Sequence, residues 1–171
     1  MSIKERALAV AEVVHDAGGK IVGRTRLQKI AYLLTAAGLE DRFSFEYKHY
    51  GPYSEDLSQL SGVAKLLGYI SEATSSTQWG GSYSTYTEST KSPIDHSEEK
   101  RRSLAEAAAK ADAVELELAA TAVFLFLDGY KDPWAETARR KPEKISDGRL
   151  ARAQSLYSAL RSTIESGLPA I

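Results

Sequence analysis

Apolar residues recur at helical spacing from Ile3 through Ala7, Val10, Ala11 and Val14, and Gly18-Gly19 stop the pattern. A short extended Lys20-Ile21-Val22 follows. A second helical stripe then runs through Leu27, Ile30, Ala31, Leu34 and Ala37, with Thr25 just before it and Gly38 after its last periodic residue. There the period changes. Phe43, Phe45, Tyr47 and His49 alternate with Ser44, Glu46, Lys48 and Tyr50, which predicts one strand with a buried face that includes the His49 ring and an end at Gly51-Pro52. Ser54 caps the next predicted helix, whose stripe through Leu57, Leu60, Ala64 and Leu67 ends at Gly68. Two β-prone arms then flank Gly80-Gly81, a pair suited to a tight hairpin turn. The order helix, extended segment, helix, strand, helix, hairpin is that of a winged helix with a strand inserted between its second and third helices.

The second half of the chain reads as helical throughout. Ser97 with Glu98 and Glu99 starts an alanine-rich stretch that divides into a polar helix to Lys110 and a second from Asp112 to Leu127. The second is apolar nearly all round near its end, the mark of a buried central helix. Asp132 followed by Pro133 opens a short helix towards Arg140, and Ser146 or Asp147 caps a last one with Leu150, Ala153, Tyr157, Leu160 and Ile164 on one stripe. The fold class is therefore α+β, mainly α: a winged-helix-like part over residues 1–90 and a helical C-terminal part over residues 91–171. The central helix needs apolar partners on most sides, so the two parts are expected to pack as a single composite domain. Its expected core joins Leu27, Ile30, Leu34, Phe45, Leu57, Leu60, Leu67, Val123, Leu127 and Leu160.

Three motifs stand out: Thr25-Arg26-Leu27-Gln28-Lys29 leading into an apolar helix, the turn Tyr47 to Ser54, and the segment Glu115 to Phe126 followed by Lys141-Pro142. In this order they resemble the YwgA-like proteins of bacteria and phages and, more distantly, the Panacea-type antitoxin domains. The resemblance spans nearly the whole chain. The likeness to Panacea-type domains implies binding and neutralising a partner toxin, whereas the YwgA-like proteins imply no established reaction, and neither brings catalytic residues with it.

Chemistry on the page narrows the function further. The 171 residues carry a formal net charge of −1 and no cysteine, which argues against a generic polyanion binder and removes disulfides and thiolate sites. The N-terminus lacks the apolar core of a signal peptide, and the most apolar run, Ala119 to Leu127, is well short of the roughly 20 residues that span a bilayer, so a cytoplasmic protein is expected. His15, His49 and His96 show no metal-ligand spacing. The glycine pairs lack the lysine of a phosphate loop, and acidic pairs such as Glu55-Asp56 sit in first helical turns, where they complement the helix dipole. Asp95-His96-Ser97 has the residue types of a nucleophile triad, but adjacency does not create a relay. No enzyme activity, cofactor or metal is expected.

Two features remain as candidates for function. Arg24, Arg26 and Lys29, with Lys20 nearby, form a basic cluster around the start of the second helix, which reads either as a solvated face or as a surface for an acidic partner. Tyr50 and Tyr53 flank the stiff Gly51-Pro52 pair and are either interface anchors or a structural staple. A winged helix that reads DNA enters the groove with the N-terminal end of its third helix. Here that end carries Glu55 and Asp56, and no Lys or Arg occurs from Ser71 to Thr90. The expectation is thus a regulatory or adaptor protein acting by protein–protein binding, antitoxin-like or defence-associated, through Arg24, Arg26, Lys29, Tyr50 and Tyr53. The alternative is a winged-helix DNA-binding transcriptional regulator.

Overall fold

A computed structural model describes residues 1–94 and 98–171. Helix α1, Ile3–Asp16, begins with a capping box in which Ser2 and Glu5 exchange backbone bonds, and it ends before Gly18 and Gly19. Strand β1, Lys20–Val22, leads into α2, Arg24–Ala36, whose first residue follows Gly23. Thr25 lies inside this helix. Gly23 takes a left-handed φ of 99°, so the chain turns into the helix by backbone freedom, and no side chain caps it.

The predicted single strand is instead a two-stranded hairpin, β2, Glu46–Lys48, and β3, Gly51–Tyr53, paired antiparallel with Tyr47 opposite Pro52. Gly51-Pro52 therefore starts a strand and does not end one. His49 falls in the turn and is exposed, contrary to the buried ring expected. Helix α3, Glu55–Leu66, is capped by Ser54, whose Oγ accepts from the Leu57 N–H at 3.1 Å. Strands β4, Ile70–Ser76, and β5, Ser82–Glu88, form the expected hairpin, and β1 adds on the far side of β5 to give the order β1-β5-β4.

The remaining helices are α4, Glu99–Ala109, α5, Ala113–Leu127, α6, Pro133–Arg140, and α7, Arg149–Ser162. Asp132 caps α6 as expected, and Asp112, expected as the start of α5, is instead its cap. Helix α7 is entered through left-handed Gly148 with no side-chain cap, so neither Ser146 nor Asp147 plays that part. The expected cap at Ser97 lies outside the described residues. The fold is α+β and mainly α. Among the described residues no helix is long and apolar enough to cross a membrane.

Helix α5 runs through the middle, buried from Leu116 to Val123, and residues of α1, α2, α3, α4, α5 and α7 meet in one hydrophobic cluster. Leu27, Ile30, Leu34, Leu57, Leu60, Val123 and Leu160 belong to it, with Phe45 partly buried against it. Leu67 and Leu127 do not. Both sit at helix ends, one at the C-cap of α3 and the other at the last residue of α5, where the apolar stripe runs past its neighbouring layer.

A buried ionic cluster ties α4 to the N-terminal half. Arg101, on the helix expected to be polar and charged, donates to Asp16 Oδ2 at 2.7 Å, to Glu40 Oε2 at 3.2 Å and to the Leu39 carbonyl. Arg42 donates to both Glu40 oxygens, at 2.7 and 2.8 Å, and to Glu12. Burial pushes the Asp16 carboxyl up, against the pull of Arg101. Burial acts on Glu40 in the same direction, but the Arg42 bonds outweigh it and hold that carboxyl below its ordinary value. Arg101→Ala leaves two buried carboxylates short of a partner and is expected to cost about 3–5 kcal/mol in urea unfolding. A loss within about 0.5 kcal/mol, the usual effect of a surface change, would show that the cluster does not hold α4 in place.

Candidate functional site

The outer edge of β3 is closed by two consecutive residues of α2. The Gln28 amide accepts from the Ser54 N–H at 2.8 Å and donates to the Ser54 carbonyl at 2.9 Å, bonding the backbone as a neighbouring strand would. Lys29 Nζ donates to the Pro52 carbonyl at 2.7 Å. Pro52 thus turns its carbonyl away from β2 and towards α2. Its missing N–H costs the hairpin ladder nothing there.

The other side of the turn rests on α5. A side chain at Gly51 would collide with Thr121 Oγ1, and the backbone φ of 86° independently favours glycine. Glu117, buried on α5, accepts from Lys144 Nζ at 2.7 Å and pairs with Lys141 Nζ at 3.1 Å, while Lys141 also donates to the His49 carbonyl at 2.9 Å. The Gln28-Lys29, Gly51 to Ser54, Glu117 to Thr121 and Lys141 segments, separate in sequence, therefore meet in one buried polar clamp. Burial, in the presence of Lys141 and Lys144 and opposed by Glu117, pushes the Lys29 ammonium down to about 7.

Around this clamp lies a cleft of about 640 Å³ between the start of α2, one face of α3 and the β4–β5 hairpin. Arg24, Tyr50 and Tyr53 stand on its walls, Lys29 lies at its floor, and Ser58 and Gly62 of α3 border it. Tyr50 is 59% exposed, with Lys144 Nζ 4.7 Å from its ring centre, and Tyr53 has Lys48 Nζ at 4.9 Å. Arg24 reaches Glu72 at 3.5 Å, and its side chain is 75% exposed.

Four of the five expected site residues thus share one cleft, but their roles differ from the sequence reading. Lys29 is 1% exposed and is a structural donor, not part of a basic surface. Arg26 points elsewhere, donating to the Val22 carbonyl at 2.6 Å and the Ala111 carbonyl at 2.8 Å, where it joins β1 to the α4–α5 connection. Gln28, Glu117 and Lys141, which the sequence reading does not join, belong to the same unit. The available signal is a polar pair, Gln28-Lys29, on the apolar stripe of α2, and a second acid, Glu117, beyond the first turn of the most apolar helix.

The other chemistry-bearing groups are engaged in pairs. Arg139 and Arg140 share Glu136, whose carboxyl their hydrogen bonds hold down to about 2. Arg140 also lies 4.8 Å from the Tyr47 ring centre. His15 Nδ1 is 2.7 Å from Glu88 Oε1, and Asp95-His96-Ser97 lie outside the described residues.

Two measurements test the clamp. Gly51→Ala should destabilise by about 2–4 kcal/mol, combining the strain of a left-handed alanine with overpacking against Thr121; an unchanged urea midpoint would remove Thr121 as a constraint. The second concerns pH. Between about pH 7 and pH 10 the unfolded chain holds a proton on Lys29 that the folded chain does not, so stability rises with pH by up to about 1.4 kcal/mol per unit from this group. That part of the slope should vanish in Lys29→Met, and equal slopes in urea titrations of the two proteins would show that Lys29 stays charged.

No protein-family model matches the chain, and no solved structure matches it. A DNA ADP-ribosyl glycohydrolase of Thermus aquaticus is similar, 39% identical over 56 residues. The match takes in 33% of this chain and 15% of that protein, so the shared segment is a small part of the relative.

Proposed function

We propose that this chain is a non-enzymatic regulatory or adaptor protein of the cytoplasm, related to the YwgA-like proteins, that binds another protein in an antitoxin-like or defence-associated role. The cleft beside the clamp is its docking surface. The observation that carries this reading is the exposure of Tyr50, on a turn held by α2, α5 and Lys141, and of Arg24, at the start of α2, on the walls of one cleft. A preorganised aromatic ring with an arginine nearby loses little freedom on binding, and these residue types concentrate interface energy. The small residues Ser58 and Gly62 allow a partner's backbone to approach. Lys29, Glu117 and Lys141, the ionisable groups of the clamp, are bonded to one another or to backbone carbonyls, which supports a scaffold role for them.

The relative from Thermus aquaticus is named for an activity on ADP-ribosyl DNA, and this favours a second reading in which the chain contacts DNA as a winged-helix regulator. Electrostatics weigh against it. The start of α3 presents Glu55 and Asp56, Arg6 pairs with Asp56 at 3.2 Å, and the Arg139-Arg140 pair already shares a carboxylate. The 56-residue match is also shorter than typical domains of roughly 100–150 residues, which fits a shared binding module better than a shared reaction.

Affinity capture from the encoding organism, with the wild type and a folded Arg24→Ala/Tyr50→Ala variant, tests the proposal. Each substitution should weaken the captured complex by about 1–2 kcal/mol. Equal recovery of the same partner by both proteins would place the binding surface elsewhere. A specific duplex bound tightly at physiological salt, and lost on changing Ser58 or Lys65, would establish the DNA reading instead.

A further inference from the structure

The two sheets treat their edges differently. The outer edge of β3 is covered by Gln28 and Lys29, whereas β4 ends its sheet, and among the described residues no strand pairs with its outer side. It is a long edge, Ile70–Ser76, without proline, lysine or arginine, the residues that commonly keep such an edge from pairing. Its one charge, Glu72, is turned onto the sheet face, where it accepts from Ser84 Oγ at 2.6 Å and pairs with Arg24. The free backbone groups can be assigned. Ser89 N–H donates to the Tyr69 carbonyl and Thr77 N–H to the Gly81 carbonyl, so odd-numbered residues face β5. The alternation of an antiparallel ladder leaves Ile70, Glu72, Thr74 and Ser76 with their N–H and C=O groups pointing outward.

These outward groups match a second copy of the same strand. Antiparallel pairing about Ala73 sets Ile70 opposite Ser76, Ser71 opposite Ser75, Glu72 opposite Thr74 and Ala73 opposite itself. Outward-facing residues then meet outward-facing residues, as the ladder requires, and no like charges face each other. The same register carries the turn bearing Trp79 of one copy to the end of α3 in the other. Trp79 is 93% exposed on a turn built by Thr77, whose N–H donates to the Gly81 carbonyl at 2.8 Å and whose Oγ1 accepts from the Gly81 N–H at 3.0 Å. At the end of α3, Leu66 is 88% and Leu67 37% exposed. An aromatic ring at one end of the edge and an exposed leucine pair at the other are self-complementary about a two-fold axis, each end of one copy meeting the opposite end of its partner.

We propose that the chain forms a symmetric dimer through the outer edge of β4, joining two three-stranded sheets about Ala73 and covering Trp79 of each copy with Leu66 and Leu67 of the other. The proposal does not rest on the cleft or its partner. Sedimentation equilibrium of the full chain across the micromolar range should show a dimer, with tryptophan emission shifting red on dilution as Trp79 is uncovered. Ala73→Arg sets two arginines opposite each other at the two-fold axis without altering the backbone, and it should be monomeric with unchanged circular dichroism. Thr74→Pro removes an outward N–H and should also be monomeric, while Trp79→Ala should weaken association about tenfold. A wild type that stays monomeric, a dimer that persists in Ala73→Arg, or an edge that pairs only with a foreign extended segment would each overturn the proposal. If Thr74→Pro failed to fold, Ala73→Arg would decide alone.

Discussion

Lys29 is the residue on which the arrangement of the middle of the molecule turns. Placing an ammonium group in a nearly dry site is costly, and three lysines share the neighbourhood of a single buried carboxylate, Glu117. The favourable terms are specific and geometric: a 2.7 Å bond to the Pro52 carbonyl and attraction to Glu117. A flexible hairpin would expose that carbonyl to water and leave the lysine without its bond. The β2–β3 turn is consequently fixed relative to both α2 and α5. Hydrophobic contact alone would hold it less specifically, because apolar packing has no preferred register of its own.

The ionic cluster of Asp16, Arg101, Glu40 and Arg42 does comparable work on another side of the core. It too connects the N-terminal half of the chain with the C-terminal helices, through Arg101 of α4 where the clamp uses Glu117 and Lys141. Breaking either network strands a charge in a place that water reaches poorly, so each acts as a lock on relative position as much as a source of stability. Cooperative unfolding of the C-terminal helices with the N-terminal half follows from this cross-linking by buried charges.

The local elements were largely legible in the sequence. Helices, the caps at Ser54 and Asp132, and the β4–β5 hairpin follow from periodicity and from residues within a turn of each other. The failures are non-local. Alternation separates inward from outward residues from Phe43 to Lys48 but fails at His49, and nothing within that window shows that Gly51 to Tyr53 folds back on it, because the bonds that hold it come from Gln28, Lys29 and Thr121. A lysine beside Arg24 and Arg26 looks like part of one basic face. Helical geometry separates the three, and α5 packs against only one side of the helix. The site was thus readable as a set of residue types and unreadable as a division between floor and wall.

Edge management gives the structure a further order. One exposed β edge, that of β3, is closed from within by an amide that imitates a peptide and by a lysine that reaches a carbonyl. The outer edge of β4 carries none of these devices, although the chain is rich enough in charged residues to have supplied one. Most cations near the core are already paired: Arg101 and Arg42 with acids, Lys141 and Lys144 with Glu117, Arg139 and Arg140 with Glu136. What the hairpin offers to a partner is therefore backbone hydrogen bonding and one large aromatic ring, with little field of its own. Such a surface discriminates by register and shape and associates without strong electrostatic steering. Arg24 beside Tyr50 supplies the opposite kind of surface, charged and concave, on the far side of Glu72. Because Glu72 belongs to β4 and also pairs with Arg24, any strand added at that edge meets the residue that sets the charge at the mouth of the cleft, and the two surfaces are joined through one carboxylate.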